Sequence, residues 1–221
     1  MKRRLLGLLA SVLVGMASLL GPSSAVWAAD HQQAVFAGGC FWCLEHDLEV
    51  LPGVISAESG YSGGSTDNPT YQQVSSGRTG HAESVLVRFD PDRISYATLL
   101  RAFWRNVDPV DGEGQFCDRG SSYRPVIFTG SADQLEQANE SARLAGQELG
   151  TSEALAVVIE PLKRFWPAED YHQNYAEGQA LTYNFYRWRC GRDARLDAVW
   201  GDQARLPAVW KTAPAFPTNA G

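Results

Sequence analysis

The sequence predicts an α+β fold of the ferredoxin-like, split-βαβ kind: a two-layer sandwich with an additional helix, a further strand and an irregular C-terminal segment. Three observations carry that expectation. Apolar residues switch between a period of two and a helical period, in the order β-α-β-β-α-β, from Gln33 to Thr129. Clusters of Gly, Pro, Asn and Asp fall between those segments rather than inside them. No Pro/Ser-rich linker divides the interior of the chain, so it reads as one domain.

The first strand is Gln33 to Ala37, closed by Gly38-Gly39. Leu44, Leu48 and Leu51 recur at helical spacing over Cys40 to Leu51, and Pro52-Gly53 stops that helix. Val54 to Tyr61 reads as the second strand, ending in the loop Ser62-Gly63-Gly64-Ser65, and Asn68-Pro69-Thr70-Tyr71 suits a turn or short helix. Glu83 to Phe89 is the third strand, broken by Pro91 and Asp92. Ser95 to Val107 places Leu99, Leu100, Phe103 and Trp104 on one helical face, with Ser95 as its cap. A Gly- and Asp-rich loop leads to a strand at Arg124 to Thr129. The next helix starts at Ser131, with Gln134 at capping-box spacing, and stops at Gly150. Leu155 to Glu160 is a last strand; beyond Pro161 the chain is aromatic, polar and irregular. Near the end ARLDAVW (194–200) recurs as ARLPAVW (204–210), too short for a repeat array.

The first 28 residues read as a secretory signal peptide. Lys2, Arg3 and Arg4 precede an apolar run from Leu5 to Leu20, and Val26-Trp27-Ala28 suits a cleavage site before Ala29. The run approaches membrane-spanning length, but its Gly and Ser residues and its flank favour a removed signal. The expected organisation is therefore a signal over 1–28, one domain over 29–200 and a disordered tail over 201–221. Export to a bacterial periplasm is expected, with no stable membrane association once the signal is removed. The net charge is −6, and losing the three signal cations makes the mature chain more acidic. Such a chain has no electrostatic footprint for nucleic acid.

Four cysteines, Cys40, Cys43, Cys117 and Cys190, lie outside the signal. In an oxidising compartment two structural disulfides would suffice to explain them. A domain of this size needs no staples, which leaves room for chemistry. GGCFWC (38–43) sits at a strand-to-helix turn, so Cys40 opens a helix, where unpaired N–H groups favour a thiolate. Cys43 follows on the same helical face, within reach of the Cys40 sulfur. Three readings of this pair compete. A zinc site needs a second ligand pair, and Cys117 and Cys190 are isolated in sequence. A thioredoxin-like oxidoreductase accepts Cys-Phe-Trp-Cys after a strand, but the rest of the chain offers no obvious partner loop. A papain-like protease accepts the spacing from Cys40 to His172, but Asn174 stands too close to His172 to orient it.

GGCFWC does not stand alone. GYSGG (60–64), NPTYQQV (68–74), GHAESV (80–85) and CDRGSSYR (117–124) follow in order, with SYATLLRAFWRNVDP and PAEDYHQNY. In this register, from about Ala34 to Tyr175, the chain resembles the A-type peptide methionine sulfoxide reductases. The resemblance implies that Cys40 attacks the sulfoxide sulfur and is left as a sulfenic acid. It makes Glu83 the acid that protonates the sulfoxide oxygen. Tyr61 and Tyr123 become hydrogen-bonding phenols, Asp118 a carboxylate near the cysteine, and Phe41 and Trp42 the apolar wall for the S-methyl group. His172 is an accessory candidate. Cys190, Cys43 and Cys117 are the candidates to resolve the sulfenic acid, and Arg187, Arg189 and Arg192 would lower the pKa of Cys190. The expected substrates are oxidised proteins or peptides and free methionine sulfoxide. A thioredoxin-like reductant is expected to supply electrons, with no metal and no bound organic cofactor.

Overall fold

The computed structural model describes residues 31–151 and 154–205. The expected signal (1–28) and most of the expected tail (206–221) lie outside the described residues. Strand β1 (Gln32–Ala37) leads into helix α1 (Phe41–Glu49), strand β2 (Val54–Ser62) and the short helix α2 (Tyr71–Ser75). Then follow β3 (Ala82–Phe89), α3 (Tyr96–Trp104) and a hairpin of β4 (Gly114–Gln115) and β5 (Asp118–Arg119). Next come β6 (Val126–Thr129), α4 (Ala132–Glu148), β7 (Val158–Pro161) and β8 (Phe165–Pro167). Helices α5 (Tyr175–Gly178), α6 (Ala180–Cys190) and α7 (Arg192–Trp200) close the fold.

The large sheet has the order β7-β6-β1-β3-β2-β8. Its inner four strands, β6-β1-β3-β2, pair antiparallel and form the expected split-βαβ core, with α1 and α3 as the two crossovers. Strand β7 joins β6 in parallel through α4, and β8 joins the outer edge of β2. Period-two alternation decides what each strand shows to each face. On β1, Ala34 and Phe36 enter the main core with Leu44, Leu48, Leu99 and Phe103, whereas Val35 and Ala37 pack with Leu86, Val126 and Phe128 on the opposite face. On β3, Val85, Val87 and Phe89 share the helix-covered face. Glu83 has the same parity, so the sheet carries its carboxyl into the interior beside α1.

Local chemistry explains the boundaries. The Ser95 and Ser131 side chains accept from the N–H groups of Thr98 and Gln134, capping α3 and α4 as expected. The reciprocal capping box forms instead at Thr70 and Gln73, opening α2. The segment beyond Pro161, expected to be irregular, holds β8 and three helices. Helix α6 escapes pattern reading because Tyr183 is its one buried residue, while Leu181, Phe185 and Trp188 are exposed. Order also continues past the expected boundary at 200: Ala204 is buried, and Arg205 pairs with Asp193. Among the described residues no helix is long and apolar enough to cross a membrane.

Helix α7 is tied to the centre of the molecule through Arg192. Its guanidinium is 1% exposed and donates to the carbonyls of Gly38 (3.3 Å) and Asn106 (2.7 Å). It also lies over the Phe116 ring at 4.5 Å. The Trp200 indole donates to the Val107 carbonyl at 3.0 Å. The C-terminal helices therefore brace the turn that presents Cys40. Replacing Arg192 with Met leaves two buried carbonyls without their donor, so Arg192→Met is expected to destabilise the fold by about 3 kcal/mol. Equilibrium denaturation measures this; a loss below about 1 kcal/mol would contradict the bracing role.

Candidate active site

Gly39 has φ +82°, and a Cβ there would meet the Gln115 Cβ at 2.7 Å, so glycine is required for this turn. The turn makes Cys40 the N-cap of α1, with its carbonyl accepting from Cys43 N–H (3.2 Å) and Leu44 N–H (3.3 Å). The next N–H, of Phe41, donates to Glu83 Oε2 at 3.1 Å. Glu83 therefore sits at the helix terminus beside Cys40, 2% exposed. Burial pushes its pKa up to about 8, with the Asp118 and Cys43 charges adding and the Phe41 N–H opposing. At neutral pH Glu83 carries a proton.

The two free cysteines are electrostatically unequal. Burial, first, and then the Cys43 sulfur and Glu83 push the Cys40 thiol up; a hydrogen bond with Tyr186 opposes this. The hydrogen bond from Cys40 lowers Cys43, against burial, and the Arg192 and Arg187 guanidiniums add to that lowering. The helix terminus expected to favour a Cys40 thiolate is thus met by an opposing effect, the burial of that thiol. Of the two neighbouring thiols, Cys43 is the one whose pKa is lowered. Arg187 is held in place by both oxygens of Asp47, at 2.8 and 2.9 Å, and by Asp193.

Around this pair the aromatic residues form two groups. Trp42 stacks on Tyr175 with ring centroids 3.8 Å apart, and its indole donates to His172 Nδ1 at 3.1 Å. The Phe41 ring packs against His172, Tyr61 and Tyr71. His172 is thereby the member that fixes the Trp42 indole; its Nδ1 is occupied, so no carboxamide orients it as a protease would require. Asn174 instead donates its backbone N–H to Glu45 Oε1 at 2.7 Å. The His172 Nε2 has no hydrogen-bond partner among the described residues.

The phenols depart from expectation. Tyr61 stands opposite Glu83 across β2 and β3, but its hydroxyl donates to Glu169 Oε2 at 2.8 Å. That bond engages the Tyr61 hydroxyl with Glu169, while the Glu83 charge still acts on it. Tyr71 is also coupled to the site: after burial, the Glu83 and Cys40 charges raise its hydroxyl pKa, while a hydrogen bond with Tyr123 lowers it. Tyr123 feels Glu83, Tyr71, Asp118 and Cys40 in the same way. The Tyr71 N–H donates to Glu169 Oε1 at 2.9 Å, so one carboxylate holds both Tyr61 and Tyr71. Tyr71 lay inside the NPTYQQV motif, which was its only sequence signal. Tyr186, on α6, gave none; its hydroxyl donates to Asp118 Oδ2 at 2.5 Å and also reaches the Cys40 thiol.

Cys117 and Cys190 form a disulfide, with Cα atoms 5.0 Å apart. Their sulfurs lie 3.8 and 3.9 Å from the Asp118 carboxylate oxygens. These three residues bring potential metal-ligand atoms within 4.8 Å of one another, with both sulfurs engaged in the disulfide. The structure thus gathers Cys40, Cys43, Glu83, Tyr123, Asp118, Phe41, Trp42 and His172 around one centre. It pairs Cys117 with Cys190 and bonds the Tyr61 hydroxyl to Glu169.

Residues 32–204 match the sequence profile of the family described as peptide methionine sulfoxide reductase. A Caulobacter vibrioides protein named peptide methionine sulfoxide reductase MsrA 2 is 48% identical over 200 residues, covering 90% of this chain and 99% of the relative. A Vibrio cholerae protein named MsrA/MsrB is 49% identical over 174 residues, 79% of this chain and 46% of that longer relative. Among solved structures, methionine sulfoxide reductase A of Corynebacterium diphtheriae superposes with a TM-score of 0.64 at 31% identity, over 68% of this chain and 76% of that one. Reduced Mxr1 from Saccharomyces cerevisiae gives a TM-score of 0.65 at 30% identity, over 69% and 88% of the two chains. Extent, identity and fold agree with the motifs around Cys40: the chain belongs to the A-type peptide methionine sulfoxide reductase family.

Proposed function

We propose that this protein reduces methionine-S-sulfoxide, in proteins and as the free amino acid, by thiol chemistry at Cys40. The observation that carries this reading is a buried carboxyl, Glu83, whose pKa is pushed up to about 8 and which accepts from the N–H next to the cysteine. A sulfoxide needs a sulfur nucleophile, a proton for its oxygen and an apolar seat for its methyl group. Cys40, Glu83 and the Phe41–Trp42 wall supply these in turn.

As Cys40 attacks the sulfoxide sulfur, its proton passes to Cys43, the more acidic partner already sharing that hydrogen bond. Glu83 donates its proton to the sulfoxide oxygen, with Tyr71 and Tyr123 as hydrogen-bond donors to the same oxygen. The sulfur–oxygen bond of the substrate breaks, methionine leaves, and the oxygen remains on Cys40 as a sulfenic acid. Cys43 then attacks the Cys40 sulfur, forming a Cys40–Cys43 disulfide and releasing water. A thioredoxin-like dithiol restores both thiols. Cys43 is favoured as resolver because Cys190 and Cys117 are bound to each other. The signal-like start supports export to a periplasm, where the enzyme would repair oxidised proteins. Fusing residues 1–30 to alkaline phosphatase tests that part; retention in the cytoplasm would overturn it.

The chemistry is tested with dithiothreitol and a peptide methionine-S-sulfoxide. Cys40→Ser is expected to lose all turnover, and retained activity would overturn the reading. Glu83→Gln keeps the acceptor for Phe41 N–H but cannot give a proton, so kcat/KM is expected to fall by about 10²-fold or more. The wild-type rate should decline as pH rises through about 8, where Glu83 ionises; that decline should vanish in Glu83→Gln. An unchanged alkaline limb would assign it to another group.

The same raised pKa has a stability consequence. Between the ordinary carboxyl value and about 8 the folded state binds a proton that the unfolded state has released. Stability must therefore fall as pH rises through that window. Glu83→Gln removes the penalty and is expected to be more stable than wild type at pH 7, by roughly 3 kcal/mol. The difference should shrink below about pH 4.5. Equal denaturation midpoints at pH 7 would contradict this.

A further inference from the structure

Helix α2 closes its own first turn. Thr70 and Gln73 form a reciprocal capping box, and Val74 is buried in the main core. The box does not reach the N–H of Tyr71, the first helical residue. Glu169 Oε1 accepts that N–H at 2.9 Å, from 98 residues away in sequence. The other oxygen of the same carboxylate, Oε2, accepts from the Tyr61 hydroxyl at 2.8 Å. Glu169 is therefore not what makes α2 a helix; it fixes where the helix begins.

The backbone that carries this carboxylate is itself held from several sides. Strand β8 pairs with β2 at Gly60, Tyr61 and Ser62 and ends two residues before Glu169. The Ala168 N–H donates to the Ser59 carbonyl at 2.9 Å. The Gln173 amide donates to the carbonyls of Ala168 (3.0 Å) and Ser59 (2.9 Å), and the His172 N–H returns to the Glu169 carbonyl at 2.9 Å. Tyr61, which fixes Oε2, stands opposite Glu83 across β2 and β3. One carboxylate thus ties the residue opposite the acid to the start of the helix that carries Tyr71.

We propose that Glu169 is a positioning residue for the sulfoxide step: by holding the Tyr71 N–H it places the Tyr71 hydroxyl as a donor to the sulfoxide oxygen. This deepens the function proposed above and rests on the reading of Cys40 as the nucleophile. A hydrogen bond is directional, so the bond at the N–H fixes the backbone from which the phenol ring extends. The ring itself packs against Phe41 and His172, with centroids 6.5 and 4.5 Å away. Charge gathers on the substrate oxygen only as its bond to sulfur breaks, so a misplaced donor slows the step without weakening binding. The alternative role is a brace for the segment after β8, whose loss would act on the rate independently of Tyr71.

A double-mutant cycle on the sulfoxide step separates the two. Protein reduced with dithiothreitol and freed of it is mixed with a peptide methionine-S-sulfoxide, and the first methionine formed is timed by rapid quench. Glu169→Ala is expected to lower the rate constant at saturation by about 10-fold or more, with the half-saturating concentration unchanged. Tyr71→Phe is expected to lower it by about 10²-fold. Tyr71→Phe/Glu169→Ala should then be no slower than Tyr71→Phe alone, within about twofold. Glu169→Gln keeps a carbonyl for the Tyr71 N–H and is expected to recover most of the rate. Losses that multiply, a wild-type rate in Glu169→Ala, or a change confined to the half-saturating concentration overturns the positioning role and leaves Cys40 chemistry standing. If Glu169→Ala does not fold, Glu169→Asp, one methylene short of the Tyr71 N–H, must show the same dependence on Tyr71, and independence overturns the proposal. No methionine from wild-type protein overturns the reading of Cys40 and the role of Glu169 with it.

Discussion

The bond from the Phe41 N–H to the Glu83 carboxyl is the constraint on which the site depends. A strand residue with the parity of Val85, Val87 and Phe89 must point into the core, and an acid there is costly to ionise. One backbone donor from the end of α1 fixes where that acid points without stabilising the anion enough to ionise it. The balance leaves a carboxyl with its pKa pushed up to about 8, bonded to the N–H of the residue after Cys40. The acid and the nucleophile are therefore positioned by the same helix turn.

Charge is distributed across the cysteine pair in a consistent direction. Glu83 raises Cys40, whereas Arg192 and Arg187 lower Cys43 against the opposing charge of Asp47. Negative charge is discouraged on one sulfur and supported on the other. In the proposed cycle this favours Cys43 as the acceptor of the Cys40 proton and later as a leaving thiolate. The cations come from the C-terminal helices, and Arg192 also holds the Gly38 carbonyl behind the nucleophile. The terminal helices thus contribute to the chemistry as well as to packing.

Much of this was legible in the sequence, for local reasons. The alternation on β1 and β3, the caps at Ser95 and Ser131 and the glycines before Cys40 depend on neighbours a few residues away. The spacing in GGCFWC was enough to place Cys43 beside Cys40. What escaped depends on contacts across the chain. Tyr61 and Tyr71 both sit in motifs, and it is the distant Glu169 that engages the hydroxyl of the first and only the backbone N–H of the second. Tyr186 and Arg192 belong to helices with weak patterning, α6 docked through Tyr183 and α7 through Arg192, Leu196 and Trp200. The pairing of Cys117 with Cys190 joins residues 73 apart, and no periodicity encodes it.

The central claim is that Glu83 holds a proton at neutral pH because it is buried beside Cys40. The most direct measurement is a carboxyl-carbon NMR titration of the reduced protein labelled in glutamate side chains, with Glu83→Gln assigning the signal. A midpoint near 8 is the result expected. A midpoint near the ordinary glutamate value of about 4.3 would contradict the account, because the carboxyl would then be an anion with no proton to give.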